Sequence, residues 1–441
     1  MNRGMLLVFV ALVMALGSPA LGPPVVADQA PFEVWLIDQQ DTRPDGGGVL
    51  YIYDGPSVEG QGVAVRSTAI DLGGAVRDLC MSPMGPMGPK GSAPRRPHML
   101  YFNGGRDDGP GGNTHAIIAF VTTGHVVFLN ATTRAPVGCI DVGDQAHAAW
   151  PTPDQRYALV ANQNGKLFQR IRTDYATNTF ELDPAATINL ATCTTPRGAS
   201  CEDPTLRPDN APICSQTDRA GRVTFVTLRG GGMFVVDHTQ TPMRIVAEYD
   251  RTAVRDNGCG GIEANGKMYV NSGGGAPNAP FGHDVYAFRL ADLGTVASAP
   301  NGPVPHLVYS RNAEGAVDAH GMAVINHDRY LWVADRIKND VTVVDTHIDQ
   351  VVNRFSLAGM TSADPAPDLL DHAPTGNRMF VSLRGPNPAT GGHDAIGSTP
   401  GLGIITVTEA GRSGQLTRVI AVPDGRIAPD PHAINVRRLS N

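Results

Sequence analysis

The chain has 441 residues, with 42 acidic and 35 basic side chains and a formal net charge of −7. So mild an acidity leaves no basic footprint and argues against nucleic acid or an anionic membrane surface as a partner. Charged residues make up only 17%, beside 51 glycines and 35 prolines, a composition that suits many short strands joined by turns.

In chain order, residues 1–27 read as a secretory signal peptide. Arg3 supplies the positive charge, and Met5 to Gly17 form an apolar run too short to remain in a bilayer. Val25-Val26-Ala27 offers a cleavage site before Asp28. No cysteine follows the apolar run, so a lipid anchor is not indicated, and a second long apolar segment is missing. The expectation is a periplasmic or secreted monomer without membrane insertion, its residues 28–441 forming one domain. Six cysteines in an exported chain favour disulfides. Cys193 with Cys201 is one expected pair and Cys214 with Cys259 another. Cys80 and Cys139 remain open, either a third bridge or two buried thiols.

A repeated grammar of strand, turn, strand, turn, strand runs through the rest. Glu33–Asp38, Val49–Asp54 and Thr68–Leu72 are three strands that lack a leading one. A unit from Asp78 to Gly143 follows, interrupted by insertions at 83–97 and 106–114. Further units begin at His147, Cys214, Cys259, His320 and Asp368, the last with a later strand at Gly403–Thr408. Asp430 to Val436 is a leading strand without followers, and it completes the blade begun at Glu33. Six internal units and one shared blade predict an all-β fold, a seven-bladed β-propeller of four-stranded blades closed by strands from both ends.

Within the His320 unit, Tyr330 to Thr346 reads YLWVADRIKNDVTVVDT. This resembles the repeat of the bacterial YVTN-type propellers, relatives of the methylamine dehydrogenase heavy chain and of the nitrous-oxide reductase N-terminal domain. The likeness is close in the His320 unit, fair in the His147 and Asp368 units and loose elsewhere. It implies the fold and leaves the activity open.

Propeller geometry puts the start of strand one and the turn between strands two and three on one face, here called upper. Aligning units on Val160, Val226, Val270, Val333 and Val381 places His147, His320, Asp368 and His432 in one slot at the channel mouth. Cys214 and Cys259 fall near it, and Arg77 or Asp78 fills it in the second blade. Three residues beyond the valines come Arg229, Arg336 and Arg384 on the same face. The longest loops share that face, and two end in Gly-His-Asp, at His283 and at His393.

These positions define the candidate site. His147, His320 and His432 are candidate ligands of a copper or zinc ion, since imidazole suits both. The nitrous-oxide reductase resemblance implies copper, but the paired His-His of that site is missing here. The plainer alternative is that each histidine bonds a neighbouring blade. Arg229, Arg336, Arg384, Asp368, His283 and His393 are candidates for binding a small anion. The competing reading pairs the arginines with acidic neighbours such as Asp335 and Asp394. Two clusters, Asp368-Asp371-His372 and Asp318-His320-His327, could supply a general base. No nucleophile elbow, haem attachment or phosphate loop is found, so no catalytic residue is assigned. The function expected is binding of a small anionic ligand, a metal ion or both at the upper mouth. The rivals are a metal-dependent enzyme, either a lactonase-like hydrolase or a copper oxidoreductase, and a platform for an envelope protein partner.

Overall fold

The computed structural model describes residue 1 and residues 31–60, 64–81, 91–104, 113–274, 281–293, 304–390, 395–423, 425 and 427–439. The signal peptide reading, His393 and Asp394 lie outside the described residues. Among those described, no helix is long and apolar enough to cross a membrane.

Seven four-stranded antiparallel blades form the propeller, and an extra short strand, Ile188–Asn189, is added to the third. The first blade is the shared one. Pro431–Arg438 is its innermost strand and pairs with Phe32–Asp38, which is followed by Val49–Asp54 and Ser67–Asp71. The predicted closure is met in register, with Val34 opposite Val436 and Leu36 opposite Ile434. Alternation of β-branched and aromatic residues buries one face of each sheet against the next blade. Trp35 and Trp332 are fully buried in this packing.

The second blade differs from its expected register. Its innermost strand is Pro97–Phe102, followed by His115–Phe120, His125–Asn130 and Pro136–Asp141. Arg77 and Asp78 do not open it, because Arg77–Met81 is a short helix in the connection from the first blade. Pro97–Phe102 is buried along its whole length and stands first in the sheet order of the blade. The helix is fastened to the blade's outer edge by the Cys80–Cys139 disulfide. Cys193 and Cys201 also form a disulfide, as expected.

Innermost strands converge on the axis, so some of their positions tolerate no side chain. A Cβ on Gly261 would stand 2.1 Å from Gln216 Cγ, and one on Gly321 would stand 2.0 Å from the Asp368 carbonyl oxygen. Neighbouring blades are also tied by side chains on strand two that reach the next blade's opening segment. Thr227 donates to the Gly258 carbonyl at 2.6 Å, Asn271 to that of His320 at 2.6 Å, and Ser382 to that of His432. These bonds fix where each innermost strand starts.

Closure also depends on buried charge. Arg384 is fully buried and donates to Asp430 at 2.6 and 2.8 Å and to Asp368 at 2.9 Å, joining the seventh blade to the first. Removing one partner of such a group costs about 3–5 kcal/mol, because the other charges remain buried. Asp38, at the end of the first N-terminal strand, accepts the Asp430 amide at 2.9 Å and the Gln40 amide at 3.1 Å.

Burial pushes the Asp38 carboxyl up to about 6, against the two amide bonds and with some help from the Asp430 charge. The unfolded chain ionises this group near 3.8 and so binds fewer protons between that value and 6. Stability therefore falls as pH rises through this window, by at most about 3 kcal/mol from this residue. Asp38→Asn keeps the acceptor oxygen and removes the charge. Urea unfolding at pH 4 and pH 7 should show the variant with the flatter dependence and the higher relative stability at pH 7.

Candidate metal centre at the channel mouth

Each blade sends one residue to the axis at the upper end of its innermost strand. They are His98, His147, Cys214, Cys259, His320, Asp368 and His432, in blade order from the second round to the first. All seven are metal-ligand types. In six blades the strand pairing slips at this residue: between Pro97 and Met99, Ala146 and Ala148, Pro212 and Ser215, Ala319 and Met322, Pro367 and Leu370, and opposite His432. A bulge re-aims a side chain that regular pleating would send into the blade interface. Here it turns the opening residue toward the axis. Cys259 reaches the same level by standing just ahead of its strand, Gly260–Ala264.

The rings are in mutual contact. His98 stacks on His432 with centroids 3.8 Å apart, and His320 meets His432 edge-on at 5.4 Å. His98 Nε2 lies 3.3 Å from His147 Nε2. The Cys214 and Cys259 sulfurs are 2.8 Å apart and not joined by a disulfide, so the bridge expected between them is a contact only. Donor atoms of His320, Asp368 and His432 all lie within 4.8 Å of one another, and so do those of His147, Cys214 and Cys259. The three histidines proposed to share one ion are thus divided between two clusters, because His147 stands three blades from His320.

Hydrogen bonds fix the tautomers. His432 Nδ1–H donates to the His98 carbonyl at 2.9 Å, which leaves Nε2 with its lone pair toward Asp368, 3.7 Å from Oδ2. Asp368 is oriented by Arg384 on Oδ2. Its Oδ1 lies 2.5 Å from His320 Nδ1, yet neither atom has an aligned hydrogen-bond partner.

Burial sets most of the charge states. It holds His98 and His432 well below the ordinary imidazole range. Burial and Arg336 oppose protonation of His320, but the Asp368 and Cys259 charges prevail and push it up to about 9. Burial opposes ionisation of Asp368, yet His320, His432, Arg384 and Arg336 keep it well below the usual carboxylate range. Contact with Cys214 chiefly lowers the Cys259 thiol, against burial and with help from His320 and His147.

Above the ring lies a cavity of about 350 Å³ whose lining includes His98, His147, Cys259, His320, His432, Arg96, Arg229 and Arg336. Arg229 is one-third exposed and paired through Nε with Asp209 at 2.5 Å. Arg336 is buried and held by Asp318 at 2.7 Å, so its partner is not the expected Asp335.

Other expected ligands stand elsewhere. Arg384 is enclosed by Asp368, Asp430 and the Thr390 carbonyl and does not face the cavity, so it orients Asp368. His283 is fully buried between Asp335 at 2.7 Å and Tyr309 at 2.8 Å, where it ties the fifth blade to the sixth. Both general-base clusters are split, although Asp318 and His320 still share the cavity wall. His327 and His372 lie at the lower ends of their strands, lining a separate cavity, while His320 and Asp368 open the upper ends. Asp371 accepts the Val436 amide. Sequence reasoning missed His98, although Pro97-His98 repeats the pattern of Pro367-Asp368 and Pro431-His432.

No protein-family model and no curated sequence matches the chain. Solved structures do match in fold. A Lactobacillus plantarum protein aligns with a TM-score of 0.59 at 9% identity, over 92% of this chain and 99% of its own. A periplasmic gluconolactonase of Pseudomonas aeruginosa gives 0.56 at 12% identity, over 92% and 99%. A protein of Sulfolobus tokodaii described as a hypothetical selenium-binding protein gives 0.57 at 10% identity, over 94% and 96%. At such identities the likeness establishes a seven-bladed propeller and nothing about the site.

Gly321 sets the approach of His320 to Asp368. Gly321→Ala should therefore destabilise the protein by about 1–3 kcal/mol in urea unfolding. Gly359→Ala, where nothing lies within 4 Å of the new methyl, is the control and should stay within about 0.5 kcal/mol.

Proposed function

We propose that this is an exported propeller that holds a copper or zinc ion on His320, Asp368 and His432 and presents it to a small anionic ligand in the cavity above. The observation that carries the reading is the convergence of three buried donors, two of which have lone pairs directed inward by their own bonds, while an ion would take the place of the proton on His320. His432 Nε2 is freed by the bond from Nδ1, and Asp368 Oδ1 has no aligned partner. Burying such atoms unsatisfied costs about 1–3 kcal/mol each, a cost that a cation removes. Arg384 on Asp368 supplies the outer support that metal ligands ordinarily have. Arg229, partly exposed on the cavity wall, offers the anion a guanidinium. The two disulfides support an oxidising compartment.

A second reading, metal-assisted hydrolysis of a lactone or ester, is favoured by the open space bordered by His320 and His432. A bound ion there would polarise a carbonyl oxygen or acidify water. The gluconolactonase neighbour agrees with this reading in fold alone.

Elemental analysis of the purified protein tests the first reading. One equivalent of copper or zinc is expected, with affinity in a His320→Ala/His432→Ala double variant weakened beyond the roughly 10–100-fold typical of outer-shell losses. Zinc and copper uptake left unchanged in the double variant, or protein that takes up neither metal while unfolding as cooperatively as before, would overturn it. A panel of sugar lactones followed by acid release tests the hydrolase reading on the same preparations.

A further inference from the structure

We infer that His147, Cys214 and Cys259 form a second site of different chemistry, built for a soft cation of the Cu(I) class. It shares no residue with the first and does not depend on that reading. Three adjacent blades contribute one donor each, and the donor atoms lie within 4.8 Å of one another.

A chain of hydrogen bonds sets the tautomer of His147. Gln39 Nε2 donates to Asp430 at 2.8 Å, so its Oε1 is the atom facing His98 Nδ1 at 3.1 Å. An amide oxygen only accepts, so the His98 proton is on Nδ1 and its Nε2 is bare. The 3.3 Å contact between the two Nε2 atoms then takes its hydrogen from His147. That leaves the lone pair of His147 on Nδ1, a buried atom without an aligned hydrogen-bond partner, although the Ile213 carbonyl lies close to the ring. A buried acceptor left this way is destabilising unless something positive meets it.

The sulfurs supply the remainder. At 2.8 Å they are closer than two unbonded sulfurs rest, so the pair is completed either by a disulfide or by a shared cation. A disulfide would leave the Nδ1 lone pair bare. A cation satisfies the imidazole and both thiolates together, once the sulfurs part by about 1 Å to suit metal–sulfur bonds of about 2.3 Å. Two thiolates and one imidazole select soft metals, Cu(I) and Zn(II) foremost. Structural zinc takes four protein ligands, whereas this set has three, which favours Cu(I). Cys259 lines the cavity, so the site is reached from the upper face.

The test is anaerobic titration of the full chain with Cu(I) held by a competing chromogenic chelator. The wild type should take one equivalent with thiolate-to-copper absorption in the near ultraviolet. Cys259→Ser and Cys214→Ser should lose both the equivalent and the band, and His147→Gln should weaken uptake while the band persists. The His320→Ala/His432→Ala variant should still bind Cu(I), whether or not it binds zinc, which separates this site from the first. No uptake by the wild type after selective reduction of the pair, or uptake unchanged in both cysteine variants, would overturn the proposal. A Cys214→Ala/Cys259→Ala variant with wild-type unfolding would show that lost binding is not lost folding.

Discussion

Seven innermost strands meeting at one axis leave room for a single opening side chain from each, and the remaining features of the mouth follow from that crowding. A bulge at the opening residue solves the steric problem by turning the side chain upward to the axis. The opening residues together place four imidazoles, two thiols and a carboxylate in one small, largely buried volume beneath the cavity. Such a cluster gains little from packing, since its members are polar and their burial is unfavourable unless each is bonded. Three of its members, His98, His432 and Asp368, are bonded on their outer sides by Gln39, by the His98 carbonyl and by Arg384, and their remaining valences face the ring. That division between an anchored outside and an unsatisfied inside is what a metal site requires.

Arg384 links the fold to the site. It lies where the last blade meets the shared one, and its two carboxylate partners have different duties. Asp430 belongs to the closure and Asp368 to the ring. The strength of the propeller's seam and the aim of Asp368 therefore depend on one buried guanidinium. The expectation that Arg384 binds a ligand identified an important residue but gave it the wrong neighbour, because spacing along a strand places a side chain on a face without saying how deep it lies.

Much of the fold was legible because its signal is local. Short β-branched runs between turn residues repeat through the third to seventh blades, and the unmatched strands at the two ends fit each other. The second blade was harder to place. Long insertions separate its strands from their turns, and Asp78 to Met81 stands where a leading strand was expected but forms a helix. His98 went unnoticed for that reason, even though the Pro97-His98 pair matches two other openings. Cys214 and Cys259 were read as a bridge on compartment grounds, which their proximity bears out and their lack of a bond does not. The tautomer chain from Gln39 to His147 was beyond any sequence reading, since it joins residues from three blades through contacts that no spacing encodes.

The central claim is that the unsatisfied inside of the ring belongs to a metal ion. A crystal structure of zinc-loaded protein, with diffraction recorded on both sides of the zinc absorption edge, tests it most directly. The account predicts an anomalous peak among His320, Asp368 and His432, at about 2.0–2.2 Å from their donor atoms. A channel mouth without that peak, with the three side chains in direct contact and zinc bound only on the outer surface, would contradict it.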